Sequence, residues 1–278
     1  MIIVRLKGGL GNQMFQYALG RVLALKNKTD LKLDISFFNL KFRNITKRSY
    51  DLDVFNIKAG VINKNKIVTY VFSVFKKIMK MPGQERGFNF DLKMLSLGPN
   101  ACLDGYFQSY KYFSDFKNII KKDFTLKNPL AQNIRNLGDE ILNTNSLCIH
   151  VRRGDYVGNS YHEVVNSEYY KKGINYISGK TSIEKIYVFS DDISWCEENI
   201  KFQFPVMFVG QEYAGVKDEG HMYLMSMCKH FIIANSSFSW WSAWLSDYES
   251  KIVVCPKQWF GDASKNTGDL IPEEWKKI

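Results

Sequence analysis

The sequence predicts an α/β fold built on parallel sheet, and three observations predict it. Short, almost wholly apolar runs alternate with longer helix-like segments through the second half of the chain. Strands that read as continuous hydrophobic runs are those buried on both faces, the condition of a parallel sheet covered by helices. Polar clusters then follow three of these runs, Arg152-Arg153, Asp191-Asp192 and Ser236-Ser237, at the strand ends where such sheets bind ligands. Finally, the chain opens on a strand, a glycine loop and a helix, a second start of the same kind.

Taken in order, the first element is a strand over 2–6, closed by the glycine loop 8–11. A helix follows from about Asn12 to Lys26, then a strand over 31–35. Residues 36–99 show no clear alternation and are expected to shape an acceptor site. A strand near 101–104 and a helix near 109–122 complete a first domain over 1–130, and a polar helix around 130–143 serves as connector over 131–145. The second domain, 146–260, has strands at 147–151, 185–189, 205–209, 230–234 and 251–255, with helices near 167–178, 193–199, 217–228 and 238–246 between them. Residues 261–278 form a C-terminal tail.

Bulk properties narrow the function classes. A chain of 278 residues, 45% hydrophobic and 24% charged, is long enough for two modest cores and is neither disordered nor membrane-spanning. The start, Met1-Ile2-Ile3-Val4-Arg5-Leu6, lacks a basic region and a cleavage site, so a cytoplasmic location is expected. Five cysteines, at 102, 148, 196, 228 and 255, lie mostly in apolar runs without zinc-ligand spacing. They read as reduced core residues. The net charge of +10 suits an anionic partner, but its lysines are scattered and no nucleic-acid module is evident, so nucleic acid is not expected. Lys64, Lys66, Lys76, Lys77 and Lys80 flank a stretch rich in Val, Ile and Phe, the pattern of a helix lying on an anionic membrane surface. The simpler reading is a core helix with solvated lysine ends.

Two adjacent arginines at the end of a buried strand repel each other unless an anion compensates them, and only arginine offers a rigid fork matched to phosphate. Asp155 is the alternative partner. Asn235-Ser236-Ser237-Phe238-Ser239 is rich in hydroxyls where a helix should begin, and the first N–H groups of a helix favour phosphate. Trp241 and Trp244, one turn apart on that helix, are expected in the core, and Phe238 is better placed to meet a ligand. Gly9-x-Gly11 with Asp34 about twenty residues on is most of a dinucleotide fingerprint. Met14 stands where the third glycine belongs, which opposes that reading. Asp51-Leu52-Asp53 resembles a metal-binding Asp-x-Asp but reads as a solvated turn, and the four histidines show no ligand spacing. No metal or cofactor is expected.

His150-Val151-Arg152-Arg153-Gly154-Asp155, Phe189-Ser190-Asp191-Asp192 and Ser236-Ser237-Phe238-Ser239-Trp240-Trp241 resemble, in order, the three motifs of the bacterial α-1,2-fucosyltransferases, glycosyltransferase family 11. Gly8-Gly9-Leu10-Gly11-Asn12-Gln13-Met14-Phe15-Gln16-Tyr17 is similar to the N-terminal signature of that family. The resemblance implies two facing Rossmann-like domains, the GT-B glycosyltransferase fold, with a GDP-fucose donor, a galactose-containing glycan acceptor, no required metal and inversion at the fucose anomeric carbon. It implies that Gly9, Gly11, Asn12 and Gln13 line the reacting centre, and that His150 with Asp191 or Asp192 approaches guanine. Arg152 is expected at the β-phosphate, assisted by the helix start at Ser236 and Ser237. Arg153 counts with the donor-binding residues, although its direction along the chain aims it at Asp155 or at the domain framework. Asp155, next to two arginines, should have a depressed pKa and so makes a better anchor than base. Just before Tyr223, where the family carries an acidic residue, this chain has His221. Two further classes stay open at this point: a nucleotide-dependent oxidoreductase using Gly9 to Asp34, and a non-catalytic carbohydrate-binding protein using the aromatic residues alone.

Overall fold

The computed structural model describes residues 1–39, 48–63, 83–85, 87–162, 165–262 and 264–278. Two compact units emerge: Met1–Lys127 with Asn266–Ile271, and Asn128–Lys265 with Pro272–Ile278. The segment 64–80, read above as a membrane-surface or core helix, lies outside the described residues. No described helix is long and apolar enough to cross a membrane.

In the first unit, β1 (Ile2–Arg5) pairs in parallel with β2 (Leu31–Asp34) on one side and β4 (Cys102–Leu103) on the other. A third strand, β3 (Gly60–Ile62), extends the sheet beyond β2 to give the order β3-β2-β1-β4. The helix α1 (Leu10–Lys26) buries 13 residues, because Gly20 lets it sit against the sheet: a Cβ there would lie 2.4 Å from Val4 Cγ2. Gly20 thus supplies the close helix-strand approach that the bulky Met14 denies at the expected third-glycine position. Its buried polar residues are paired. Tyr17 donates to Asp123 at 2.7 Å and Arg21 reaches the same carboxylate at 2.7 Å. A short α2 (Leu92–Leu95) and α3 (Lys117–Asp123) complete the described helices of this unit.

The second unit holds a six-stranded parallel sheet: β5 (Ser146–Val151), β6 (Lys185–Ser190), β7 (Val206–Val209), β8 (His230–Ile232), β9 (Val253–Cys255) and β10 (Lys276–Lys277). The order β10-β9-β8-β5-β6-β7 is that of a dinucleotide-binding sheet, with its topological switch between β5 and β8. Every residue of β5 is buried, as a central parallel strand requires. The residues expected as a tail, 261–278, supply β10 and the segment Asn266–Ile271 that joins the first unit. Helices α4 (Gln132–Asn143), α5 (Ser167–Ser178), α6 (Ile193–Asn199), α7 (Glu219–Met227) and α8 (Ser237–Leu245) accompany the sheet. The residues expected as a connector are therefore a packed helix: Gly138 brings α4 against Tyr223 of α7, so close that a Cβ would lie 3.0 Å from Tyr223 Cε1. All five cysteines are buried free thiols.

Candidate active site

The switch point of the second unit gathers most of the residues singled out in the sequence. β5 ends at Val151, so Arg152 and Arg153 leave the sheet where the chain turns through Gly154. Asp191, just past β6, holds that turn. Its carboxylate accepts the N–H of Arg153 at 2.8 Å and of Gly154 at 3.0 Å, and pairs with Arg152 at 3.0 Å. A Cβ at 154 would lie 2.7 Å from Asp191 Oδ2, so a larger residue would push the clamping carboxylate aside. Arg152 is also gripped by Asp155 Oδ1, through Nε at 3.0 Å and the terminal nitrogen at 2.6 Å. Burial disfavours its charge, but Asp191 and Asp155 more than offset this, and its pKa is raised.

One expectation is corrected here. Asp155 is held by Arg152 rather than Arg153, because the turn through Gly154 folds position 155 back onto position 152. Arg153 instead reaches Asp192 at 3.0 Å and lies over the Trp195 ring, 4.1 Å from its centroid. The Asp192 carboxyl is held below its ordinary range by that Arg153 bond and by the N–H of Trp195, which it caps at 3.1 Å as the first residue before α6. Of the pair expected near guanine, Asp192 is thus a helix cap and Asp191 a turn clamp, both engaged within the protein.

Across the switch point, Ser236 precedes α8 without a side-chain cap, which leaves the first-turn N–H groups of Ser237 and Phe238 to solvent or a ligand. The Phe238 ring lies 5.9 Å from His150, so the end of β5 meets the start of α8 through these two side chains. His150 is buried with Nδ1 unpartnered. Desolvation, reinforced by Arg152 and His221, lowers its pKa to about 3, so the ring is neutral. Asn235 is 2% exposed, and its Oδ1 is likewise unpartnered while its amide donates to the carbonyls of His162 and Trp259. Tyr156 reaches over from the arginine turn to donate to the Asn235 carbonyl at 3.2 Å. His221 Nε2 meets the Gly210 carbonyl at 2.9 Å. Trp240, Trp241 and Trp244 are all buried.

The glycine loop belongs to the first unit. Its helix begins at Leu10 with Gly9 before it, so Asn12 lies inside α1 and does not cap it. Gly8 is the glycine that the backbone requires, at φ +80, and Asn12 Nδ2 lies 2.6 Å from where its Cβ would be. Asn12 is half-buried and accepts at Oδ1 from Gln108 at 2.7 Å. Gly9 is half-buried beside it, whereas Gly11 is buried within the helix. Gln13 is 0% exposed: its amide donates to the carbonyls of Gly8 and Ser49 and accepts from the N–H of Asp51. Gln13 therefore fastens the 49–51 loop instead of lining an open site. Asp51 itself accepts from Ser49 Oγ at 2.6 Å. Asp34, the ribose-binding candidate of the dinucleotide reading, is 4% exposed and accepts the N–H of Ser36 at 3.0 Å, so it is a buried turn residue.

Gln108 and Trp195 are residues that sequence reading missed, because both are set by contacts between distant segments; Gly8 and Asn235 stood within the quoted motifs, but no role was read for either.

The fucosyltransferase NodZ from Bradyrhizobium shares the fold, with a TM-score of 0.52 at 13% identity over 87% of this chain and 90% of that one. Two Escherichia coli proteins are similar over their whole lengths. An alpha-1,2-colitosyltransferase is 34% identical, covering 100% of this chain and 99% of its own. The O-antigen biosynthesis glycosyltransferase WbnK is 33% identical, covering 97% and 98%. A galactoside 2-alpha-L-fucosyltransferase of Caenorhabditis elegans is 30% identical over 63% of this chain and 52% of its own. The model of glycosyl transferase family 11 matches residues 1–278. With two Rossmann-like parallel sheets of the GT-B class and a match from end to end, the chain belongs to glycosyl transferase family 11.

Proposed function

We propose that the protein transfers L-fucose from GDP-β-L-fucose to the 2-hydroxyl of a terminal β-galactoside, with inversion and without a metal. The observation that carries this reading is the switch point of the second unit: Arg152 at the end of β5, beside the end of β8 and the uncapped start of α8. A departing diphosphate needs donors aimed at the oxygens where charge develops. Arg152 supplies a fork to the β-phosphate once it exchanges Asp155 for phosphate oxygens, and the N–H groups of Ser237 and Phe238 supply backbone donors. His150, neutral and with Nδ1 unpartnered, and Asn235 with a free Oδ1 offer hydrogen bonds to the nucleoside. Asn12, its amide oxygen fixed by Gln108, contributes to binding the acceptor. Asp155, anchored on Arg152, keeps the guanidinium in place before the donor arrives.

Full-length similarity to a colitosyltransferase at 34% identity supports a second reading, in which the same site takes a colitosyl donor. Either donor agrees with a bacterial polysaccharide acceptor, the setting named for WbnK. Incubation with GDP-fucose or GDP-colitose, a panel of β-galactosides and EDTA, followed by NMR assignment of the linkage, tests both. Fucosylated product with an α-1,2 linkage in EDTA is the expected result. Product from GDP-colitose alone selects the second reading, and dependence on added Mg²⁺ or Mn²⁺ overturns the metal-free mechanism.

A further inference from the structure

Resting on the glycosyl-transfer reading, we propose that Tyr156 is a positioning residue for the leaving diphosphate: with Asn235 it forms a clasp that sets the Arg152 guanidinium against the first turn of α8. Those two groups are the proposed sources of donors to the diphosphate, and they stand on different connections of the second unit. Arg152 leaves the end of β5, whereas α8 follows β8. The pairing of β5 with β8 ends at Ile149 and Ile232, so the spacing of the two groups is set by contacts beyond the sheet.

The clasp closes from both sides. The Tyr156 hydroxyl donates to the carbonyl of Asn235 at 3.2 Å, one residue ahead of Ser236, which precedes α8. In return the Asn235 side-chain amide donates to the carbonyls of His162 at 2.9 Å and Trp259 at 3.0 Å. The His162 ring stacks on Tyr156, with centroids 4.7 Å apart and planes at 16°, so the ring and the hydroxyl of Tyr156 are both fixed. The chain between them is folded on itself. The N–H groups of Tyr156 and Val157 donate to the Arg153 carbonyl, each at 2.8 Å, that of Asn159 to the Tyr156 carbonyl at 3.0 Å, and that of His162 to the Asn159 carbonyl at 2.9 Å. Its far end rests on the segment after β9, where the N–H of Gly261 donates to the Tyr161 carbonyl at 2.8 Å and the Phe260 ring stacks on Tyr161 at 4.9 Å. Tyr156 is thus carried to the start of α8 on a braced arm. The same ring backs the arginine, whose guanidinium carbon lies 5.7 Å from the Tyr156 centroid, within cation–π range. A phosphate that displaces Asp155 from Arg152 competes neither for the ring face nor for the Asn235 carbonyl, so this support persists when the donor is bound.

The test is a double-mutant cycle. Tyr156→Phe removes one hydroxyl and keeps the ring, and Arg152→Lys removes the fork that the clasp aims. GDP affinity by calorimetry and kcat at saturating donor are measured for the wild type, both single variants and the pair. Tyr156→Phe should weaken GDP binding and lower kcat by about 3- to 10-fold, the value of one neutral hydrogen bond, with acceptor KM unchanged. In the Arg152→Lys background the same change should cost less than about twofold, because no fork is left to aim. Tyr156→Leu, which loses the ring as well, should cost more than Tyr156→Phe. A tyrosine that only braced the fold would lower the melting temperature and act equally in both backgrounds. Equal effects in the two backgrounds, or no effect of Tyr156→Phe on either quantity, overturns the proposal. Should Tyr156→Leu fail to fold, Tyr156→Phe decides alone. GDP binding without release of GDP from GDP-fucose or GDP-colitose overturns the transfer reading, and the cycle on GDP affinity then decides the clasp by itself. A wild type that binds no GDP overturns both.

Discussion

Replacing Asp191 by alanine separates a nucleotide-reading carboxylate from a structural one. Its oxygens accept the N–H groups of Arg153 and Gly154 at 2.8 and 3.0 Å and pair with Arg152 at 3.0 Å. Bonds to a charged acceptor contribute roughly 1.5–3 kcal/mol each when fully buried. Here a quarter of the side chain is exposed, at 25%, so water replaces part of what is lost and the discounted total is about 2–3 kcal/mol. For a chain of this size that corresponds to a fall in Tm of roughly 5–10 °C. Asp191→Asn, which keeps one acceptor and turns a donor toward the other N–H, should lie between alanine and wild type. The turn positions Arg152, so both GDP and ADP should bind more weakly, with their ratio unchanged. Scanning calorimetry and titration with the two nucleotides check these outcomes together. A variant that melts with the wild type yet loses its preference for GDP would refute the clamp and return guanine recognition to Asp191.

Arg152→Lys should lower kcat by about 10²-fold, because charge survives but the fork to the leaving phosphate does not; single-turnover kinetics at saturating donor measure it, and an effect on donor KM alone contradicts the assignment. His150 is buried and held down to about 3, so the unfolded chain takes up its proton first. This contribution to stability is complete above about pH 6.5 and is lost as pH falls toward 3, by about 1.4 kcal/mol per unit. His150→Asn should flatten the fall in Tm between pH 6.5 and 5, and an unaltered slope counts against the buried neutral ring. Gly20→Ala places a Cβ 2.4 Å from Val4 Cγ2 and should cost about 1–3 kcal/mol through overpacking, read as a lower urea midpoint at constant slope.

The second unit was legible because its strands are buried on both faces. The runs around Leu147–Val151 and Ile186–Phe189 contain almost no polar residue to break the pattern, and the helices over 167–178 and 193–199 fall where the spacing predicts. In the first unit the short edge strand Gly60–Ile62 is half-exposed, so it carries neither alternation nor a continuous apolar run. Lys276–Lys277, exposed and two residues long, is invisible for the same reason. At the site, the strand-end rule located Arg152, Asp191, Asp192 and Ser236 but not their pairing. Which arginine meets Asp155 depends on the turn at Gly154, and Arg153 finds Trp195 only after α6 has folded. The amide of Gln13 serves residues 49–51, a contact between distant segments that leaves no local trace.

The arginine turn has one more consequence, for what the protein ignores. Two guanidinium groups there face three carboxylates, Asp155, Asp191 and Asp192, so the empty pocket carries no surplus of positive charge although the chain as a whole is at +10. A small inorganic anion drifting in finds both forks already occupied and gains little by displacing a tethered aspartate. A nucleoside diphosphate brings a base and a sugar whose contacts offset that displacement. Under the proposed function, orthophosphate and sulfate are expected to compete poorly with the donor at this turn.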